Sequence, residues 1–292
     1  MKPRWPKPPA PPSKGRADMT EDLATQYKGK VLAVQNLPTL PSVMYEITAL
    51  MDDPNVSIEQ IADTIGMDQV LSAKVLKMVN SPIYGFPGRI SSVQHALVLL
   101  GFNVVKGVII STSVFADATE TMRDLWNHSM ACSLASAEIA RVLKFKDPGE
   151  YAVAGLLHDI GKVVIAVQMP EVEPEIKRLE EEKALNTREA EAEVLGFAHD
   201  RVNAWLADHW RFPRSLKEGI SMHHTPLKAD LYPEIAQVVH IGDFFAHLYG
   251  MDNSSKQIPY LFPQTLKTLG INHSMLMTIM DGVTEKIGEM QV

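Results

Sequence analysis

From Val31 onward, apolar residues recur at steps of three and four positions almost throughout, and no stretch of several residues alternates apolar with polar side chains. Such spacing places the apolar side chains on one face of an α-helix, whereas a half-buried strand requires strict alternation. The sequence therefore predicts an all-α fold. A hydrophobic content of 46% over 292 residues is enough for a buried core and excludes collagen-like and wholly disordered chains.

Local signals indicate where several helices begin. Three pairs of residues fit a capping pattern, in which a polar side chain and the residue three positions later satisfy each other's backbone amides. These pairs are Ser57 with Gln60, Ser91 with Gln94 and Asn186 with Glu189. A long helix rich in Ala and Ser is predicted over residues 120–143, where small side chains would let neighbouring helices approach closely, as at the centre of a bundle.

Charge and cysteine content exclude several kinds of protein. The net charge of −7 disfavours nucleic acid and anionic lipid as partners. Residues 57–80 could be read as a helix-turn-helix, but they lack the excess of cations that contacts with phosphates require. The single cysteine, Cys132, cannot form an intramolecular disulfide, and no apolar run approaches the ~20 residues that cross a bilayer. We therefore expect a cytoplasmic protein without a membrane segment.

Adjacent histidine and aspartate residues are the strongest pointers to chemistry. His158 and Asp159 end an apolar run over residues 154–157, and His223 and His224 form a second adjacent pair. Burying an imidazole beside a carboxylate is costly unless both are paired or bind a cation. A metal ion would remove that cost, although each histidine could instead be a hydrogen-bonded core residue.

The run from Leu157 to Lys162, Leu-His-Asp-Ile-Gly-Lys, resembles the HD superfamily of metal-dependent phosphohydrolases. A narrower resemblance, to the HDOD signalling family, covers about residues 31–250. It is carried by four stretches in the same order: residues 37–41, Leu-Pro-Thr-Leu-Pro; residues 79–84, Val-Asn-Ser-Pro-Ile-Tyr; residues 193–199, Glu-Val-Leu-Gly-Phe-Ala-His; and residues 210–213, Trp-Arg-Phe-Pro.

The resemblance implies an HD-domain-like helical bundle with an N-terminal helical subdomain, acting as an output or regulatory module in bacterial signal transduction. The resemblance covers the N-terminal subdomain over 31–119 and the metal-binding bundle over 120–250. Outside it, the prolines and cations near the start predict a disordered, basic, proline-rich tail over residues 1–30, and a C-terminal helical extension is predicted over 251–292. A signalling protein is the implied partner, with a nucleotide or another phosphoester as ligand.

The ligand set is similar to that of the HD-GYP phosphodiesterases, which cleave cyclic dinucleotides. It comprises His128, His158, Asp159, His199, His223, His224 and Asp243. The Gly-Tyr-Pro signature of those enzymes is absent, because Thr225 and Pro226 follow His224. The other five histidines, His95, His209, His240, His247 and His273, lie outside any motif and are interpreted as ordinary histidines.

Five imidazoles and two carboxylates exceed the ligands of one four-coordinate zinc ion and suit two divalent ions. Donors of nitrogen and oxygen without thiolate favour iron, with manganese or zinc as alternatives. The resemblance implies that Asp159 bridges the two ions and that a hydroxide between them attacks phosphorus. Lys162 would neutralise a phosphate oxygen. An active phosphohydrolase of nucleotides or cyclic dinucleotides is thus the alternative to a regulatory protein.

Overall fold

A computed structural model of the chain describes residues 27–32, 43–50, 55–86, 88–115, 120–250 and 260–290. These residues form helices and no strands, which confirms the predicted all-α fold. Beyond a helical segment at 27–32, the helices are α1 (Val43–Leu50), α2 (Ile58–Gly66), α3 (Gln69–Val79), α4 (Val93–Leu100), α5 (Phe102–Val114), α6 (Glu120–Val142), α7 (Pro148–Leu157), α8 (Ile160–Gln168), α9 (Glu173–Lys183), α10 (Thr187–Leu195), α11 (His199–His209), α12 (Arg214–Ser221), α13 (Pro233–Leu248), α14 (Pro263–Thr268) and α15 (His273–Met290).

Two of the three predicted capping pairs are confirmed. Ser57 and Asn186 each accept a hydrogen bond from the backbone three residues later, and the side chains of Gln60 and Glu189 bond back. The third prediction is wrong by one residue. Helix α4 is capped by Ser92, whose hydroxyl accepts from the backbone amide of His95 at 3.1 Å. That register buries Val93, Ala96 and Leu97, so tertiary packing decides between two adjacent serines.

Helix α6 is the centre of the bundle, as its small residues predict. Two glycines bring neighbouring helices against its backbone. A Cβ atom on Gly155 of α7 would lie 2.8 Å from the carbonyl oxygen of Cys132, and one on Gly242 of α13 would lie 2.5 Å from Oγ of Ser136. Helices α7 and α13 therefore pack on α6 at a separation that only glycine permits.

The N-terminal helices are joined to the bundle through α5. Lys106 of α5 is fully buried, and its ammonium donates a hydrogen bond to the backbone carbonyl of Trp210. The same ammonium lies 5.4 Å from the ring centre of Phe212 and 6.0 Å from that of Phe102. A cation held by a carbonyl and two aromatic faces thus links α5 to the end of α11.

Part of the predicted organisation lies outside the described residues: residues 1–26 of the predicted tail, the stretch 37–41, and residues 251–259 and 291–292 of the predicted C-terminal extension. Residues 27–30 of that tail belong to a helical segment, in which Lys30 pairs with Glu171 at 3.1 Å. Over the described ranges, no single helix is long and apolar enough to span a membrane. Helices over 148–168 and 170–183 satisfy that test only when joined, and they are bent by 91°.

Candidate metal centre

The fold gathers all seven predicted metal ligands at the middle of the bundle, although they come from five separate parts of the chain. His128 lies on α6, His158 and Asp159 between α7 and α8, His199 at the start of α11, His223 and His224 after α12, and Asp243 on α13. Six of the seven are buried, and His224 is partly exposed. Their donor atoms form groups within 4.8 Å, one made by Asp159, His199, His223 and His224 and another by His128, His158 and Asp159.

Asp159 belongs to both groups because its two oxygens face different imidazoles. Oδ1 lies 3.3 Å from Nε2 of His199 and 3.9 Å from Nε2 of His223. Oδ2 lies 3.3 Å from Nε2 of His158 and 3.6 Å from Nε2 of His128. A carboxylate in this position can place one oxygen on each of two cations.

The tautomers of three imidazoles are fixed by their Nδ1 atoms. Nδ1 of His158 donates to the carbonyl oxygen of Gly155 at 2.8 Å, and Nδ1 of His223 donates to that of Ile220 at 2.9 Å. Nδ1 of His199 donates to a carboxylate oxygen of Glu191 at 2.6 Å. The Nε2 atoms of the three rings lie within 3.9 Å of an oxygen of Asp159, and a ring that donates from Nδ1 can offer the lone pair of Nε2 to a metal, as in a metal-binding histidine with its outer partner.

Two buried polar atoms at the centre of the cluster have no hydrogen-bond partner among the described residues: Oδ1 of Asp159 and Nε2 of His223. Leaving such an atom unsatisfied costs about 1–3 kcal/mol. Both atoms are acceptors, so one cation between them would satisfy both. The donor set thus fits a divalent metal on the chemistry of its own residues.

Protonation states at neutral pH also suit a cation. Burial lowers the pKa of His223 to about 3, with the neighbouring His158 and His199 adding to the effect. Burial likewise lowers the pKa of His224 well below its usual value. Burial would raise the pKa of Asp159, but the charges of His158 and Lys162 bring it well below the usual value. His223 and His224 are therefore neutral beside the ionised carboxylate of Asp159, and these are the forms that bind metal.

His158 carries the opposite shift. Burial lowers its pKa, but the charge of Asp159 outweighs burial and raises the pKa well above its usual value. The pocket thus stabilises positive charge on the imidazole of His158, and a metal ion bound to this ring would take the place of the proton. Lys162 supplies a further cation, with Nζ 2.7 Å from Oδ2 of Asp159.

Two histidines that the sequence analysis treats as ordinary contact the cluster, and this corrects the earlier interpretation. His247 lies one turn beyond Asp243 on α13, with Nε2 3.3 Å from Oδ1 of Asp243, and together with His128 these residues form a third possible group of metal donors. His240 donates from Nδ1 to the backbone carbonyl of His223 at 2.9 Å and so fixes that turn. The spacing of four between Asp243 and His247 was the available signal.

Asn203 is a further residue that the sequence analysis missed. Its side-chain oxygen accepts from the backbone amide of Gly161 at 2.8 Å. Its amide donates to the carbonyl oxygens of His158 and Ile220, the latter at 2.8 Å. One buried side chain therefore holds together the segments that carry His158, His199 and His223. Its partners are 17 to 45 positions away, so no local pattern indicates this role.

Curated relatives resemble this chain without defining its activity. An uncharacterized protein of Treponema pallidum (strain Nichols) is 23% identical over 236 residues, which cover 77% of this chain and 45% of the relative. The uncharacterized protein YuxH of Bacillus subtilis (strain 168) is 27% identical over 131 residues, covering 44% of this chain and 32% of YuxH. The chain thus spans less than half the length of the curated relatives that it matches.

Solved structures share the fold over nearly the whole chain. An HDOD domain protein of unknown function from Geobacter sulfurreducens is 26% identical, with a TM-score of 0.63, covering 95% of this chain and 94% of that one. A candidate phosphohydrolase from Shewanella amazonensis SB2B is 22% identical, with a TM-score of 0.65, covering 91% and 97%. A candidate signal transduction protein from Marinobacter aquaeolei VT8 is 19% identical, with a TM-score of 0.66, covering 95% and 67%. The family model of the HDOD domain matches residues 37–226, more than half of the sequence, and the chain therefore belongs to the HDOD family.

Proposed function

We propose that this protein is a signal-transduction HDOD protein whose retained HD-type site binds two divalent metal ions and a phosphoester ligand. The observation that carries the proposal is the position of Asp159, whose two oxygens face two groups of imidazoles. The ligands proposed are His128, His158, Asp159, His199, His223, His224 and Asp243. A signalling protein that recognises the outer surface is the proposed partner.

Iron is the proposed ion, with manganese or zinc as alternatives, because the donors are nitrogen and oxygen without thiolate. Two such ions, when bound, would supply Lewis acidity and lower the pKa of a bound water molecule. Glu191, Gly155 and Ile220 hold three of the imidazoles so that their Nε2 lone pairs face inward. Preset ligands of this kind raise the affinity for metal, because little reorganisation accompanies binding.

Lys162 is the residue proposed to contact the ligand. Its side chain is 13% exposed, whereas that of Asp159 is buried, and its Nζ atom lies 2.7 Å from Oδ2 of Asp159. A phosphate oxygen at the cluster would be close enough to share this ammonium with Asp159. The role of Lys162 is therefore to offset the negative charge of a phosphoester as it approaches two carboxylates.

Metal analysis tests the proposal. Protein purified under reducing conditions should contain about two divalent ions per chain, measured by plasma mass spectrometry. Asp159→Asn should lose most of both ions because this residue is shared, whereas His199→Ala should lose mainly one. His95→Ala, an exposed histidine far from any motif, is the matched control and should keep the wild-type content. Protein that binds no ion even after reconstitution with iron or manganese would contradict the proposal.

A second candidate function is hydrolysis of phosphoesters, such as nucleotides or cyclic dinucleotides. The position of Lys162 favours hydrolysis. This lysine pairs with the shared carboxylate of Asp159, although metal binding alone does not require a cation at that place. A panel of phosphomonoesters and phosphodiesters, assayed with the iron- and manganese-loaded protein, separates the two candidates. Turnover that Lys162→Met abolishes without loss of metal would establish the hydrolase. Uniform inactivity with ligand binding retained would favour the regulatory protein.

A further inference from the structure

A cavity of about 420 Å³ lies beside the candidate metal centre, between α10, the first half of α11 and the turn after α12. Its volume falls within the range of about 300–1,000 Å³ typical of small-molecule sites. Polar residues of its wall include Arg188, Asp200, Arg201, Ser221 and Thr225. Alanine and glycine residues line much of the rest, so the space is not filled by side chains.

The cavity adjoins one particular group of candidate ligands. Its lining residues Ala198 and Asp200 flank His199 in the chain, and Met222 and Thr225 flank the pair His223 and His224. His224 is the one predicted ligand that is partly exposed, whereas the other six are buried. The cavity wall therefore includes the chain neighbours of His199, His223 and His224, which belong to one group of candidate ligands together with Asp159.

Two arginines give the cavity a positive wall in a chain whose net charge is −7. The guanidinium of Arg188 donates from Nε to a carboxylate oxygen of Asp200 at 2.8 Å. That of Arg201 lies 5.7 Å from the ring centre of Trp205. Two guanidinium groups beside one carboxylate leave an excess positive charge, and planar guanidinium groups suit the oxygens of phosphate.

Asp200 connects this wall to the metal centre. It directly follows His199 in the chain, and its carboxylate accepts a hydrogen bond from Nε of Arg188 at 2.8 Å. Asp200 therefore lies close to both a candidate metal ligand and an arginine of the wall. It can hold Arg188 in place at the boundary between the two.

We infer that this cavity binds the part of a phosphoester ligand that lies beyond the phosphate at the ions, and that Arg188 and Arg201 bind a second phosphate there. The ligand class is a nucleotide with at least two phosphate groups. The inference rests on the proposed function, because the ions would hold the first phosphate. It assigns Arg188 and Arg201 to ligand selection and not to metal binding.

Calorimetry on the manganese-loaded protein tests the inference with two probes, inorganic phosphate and the methylene analogue of ADP, whose P–C–P bridge resists hydrolysis. The wild-type protein should bind the analogue about tenfold more tightly than phosphate, because the analogue also reaches the arginines. Arg201→Gln should remove about that tenfold advantage while leaving manganese content and phosphate affinity unchanged. Arg188→Gln should weaken binding of the analogue in the same way.

Two further variants test whether the loss of affinity for the analogue comes from the cavity itself or from any change in surface charge. Ala192→Phe adds bulk at an exposed position of the cavity wall and should weaken binding of the analogue without altering charge. Arg178→Gln removes an exposed guanidinium that pairs with Glu175 and Glu182 on α9, and it should change neither affinity.

Unchanged affinity for the analogue in Arg201→Gln and Arg188→Gln, with manganese and phosphate still bound, would overturn this inference and leave the proposed function intact. Wild-type protein that binds neither manganese nor phosphate would overturn the proposed function and the inference with it.

Discussion

Glu191 binds His199 through two hydrogen bonds to the same carboxylate oxygen, one from the ring Nδ1 at 2.6 Å and one from the backbone amide at 2.8 Å. The backbone bond satisfies an amide at the start of α11, and the ring bond fixes the tautomer. The orientation of one candidate ligand is thus tied to the beginning of a helix. A carboxylate buried beside an imidazole also makes that imidazole a stronger donor to metal.

Replacing this carboxylate should weaken metal binding without removing a ligand. We expect Glu191→Gln to lower the affinity for the ion at His199 by about 10- to 100-fold, the usual effect of losing an outer partner. Titration of the metal-free protein with manganese measures the change. Glu193→Gln, which alters an exposed glutamate on the same helix, is the control and should bind like wild type. Equal affinities for the two variants would contradict this role of Glu191.

Asn203→Ala should destabilise the whole protein, because it leaves the amide of Gly161 and the carbonyls of His158 and Ile220 without their partner. An unsatisfied buried group costs about 1–3 kcal/mol, so we expect a loss of about 3 kcal/mol or more in the free energy of unfolding. Urea denaturation measures it. Asn186→Ala, which removes only a helix cap, should cost about 1 kcal/mol. A smaller loss for Asn203→Ala than for Asn186→Ala would disprove this central role.

Gly161→Ala should disturb the metal centre through packing alone. A Cβ atom at this position would lie 2.4 Å from the carbonyl oxygen of His199 and 2.8 Å from Oδ1 of Asn203. Since backbone cannot yield to that extent, α8 and α11 must separate, and we expect lower thermal stability together with reduced metal content. Gly66→Ala meets no atom within 4 Å and should leave both properties near wild type. Normal metal content in Gly161→Ala would show that the close approach is dispensable.

Acid should destabilise the protein when metal is removed with a chelator. The pKa of His223 is about 3 in the folded chain against 6.5 ordinarily, so below pH 6.5 the unfolded chain binds more protons. Stability should therefore fall as the pH drops from 6.5 to 4.5, by about 2 kcal/mol from His223 alone. The raised pKa of His158 does not oppose this trend, because its stabilising contribution is already complete below pH 6.5.

Thermal unfolding in chelator across that pH range measures the effect. His223→Asn removes one titrating group and should weaken the dependence without abolishing it, because the pKa of His224 is lowered in the same direction. His273→Asn changes an exposed histidine and should leave the dependence as in wild type. A melting temperature that stays constant or rises on acidification would contradict the assignment of His223 as a buried neutral imidazole.

A residue's role is predictable from the sequence where it follows from local spacing. The capping pairs at Ser57 and Asn186 depend on contacts three residues apart, and both are confirmed. Ser91 fails as a cap because Ser92 offers the same local chemistry and burial of the following helix selects between them. The small residues of α6 predict close packing, which Gly155 and Gly242 complete from neighbouring helices.

The candidate ligands form a recognisable order of motifs, and the fold brings all of them together, but their assignment as ligands stays a prediction. Residues that hold them in place were missed for a physical reason. Asn203 and Glu191 act on atoms of other segments, and a polar residue on a helix looks the same in sequence whether its partner is solvent or a distant carbonyl. The contact of His247 with Asp243 could have been predicted from the sequence, because His247 follows Asp243 by one helical turn.

The candidate ligands are spread widely along the chain: His128 and Asp243, whose donor atoms lie 3.1 Å apart, are separated by 115 positions. No short fragment of the chain contains all the candidate ligands. An ion would therefore bind the folded bundle more tightly than the unfolded chain. Binding at a free-ion concentration roughly 1,000 times the dissociation constant would add about 4 kcal/mol to the folded state. Loss of the ions would then lower the free energy of unfolding by the same amount and raise the fraction of chains that are open to proteolysis.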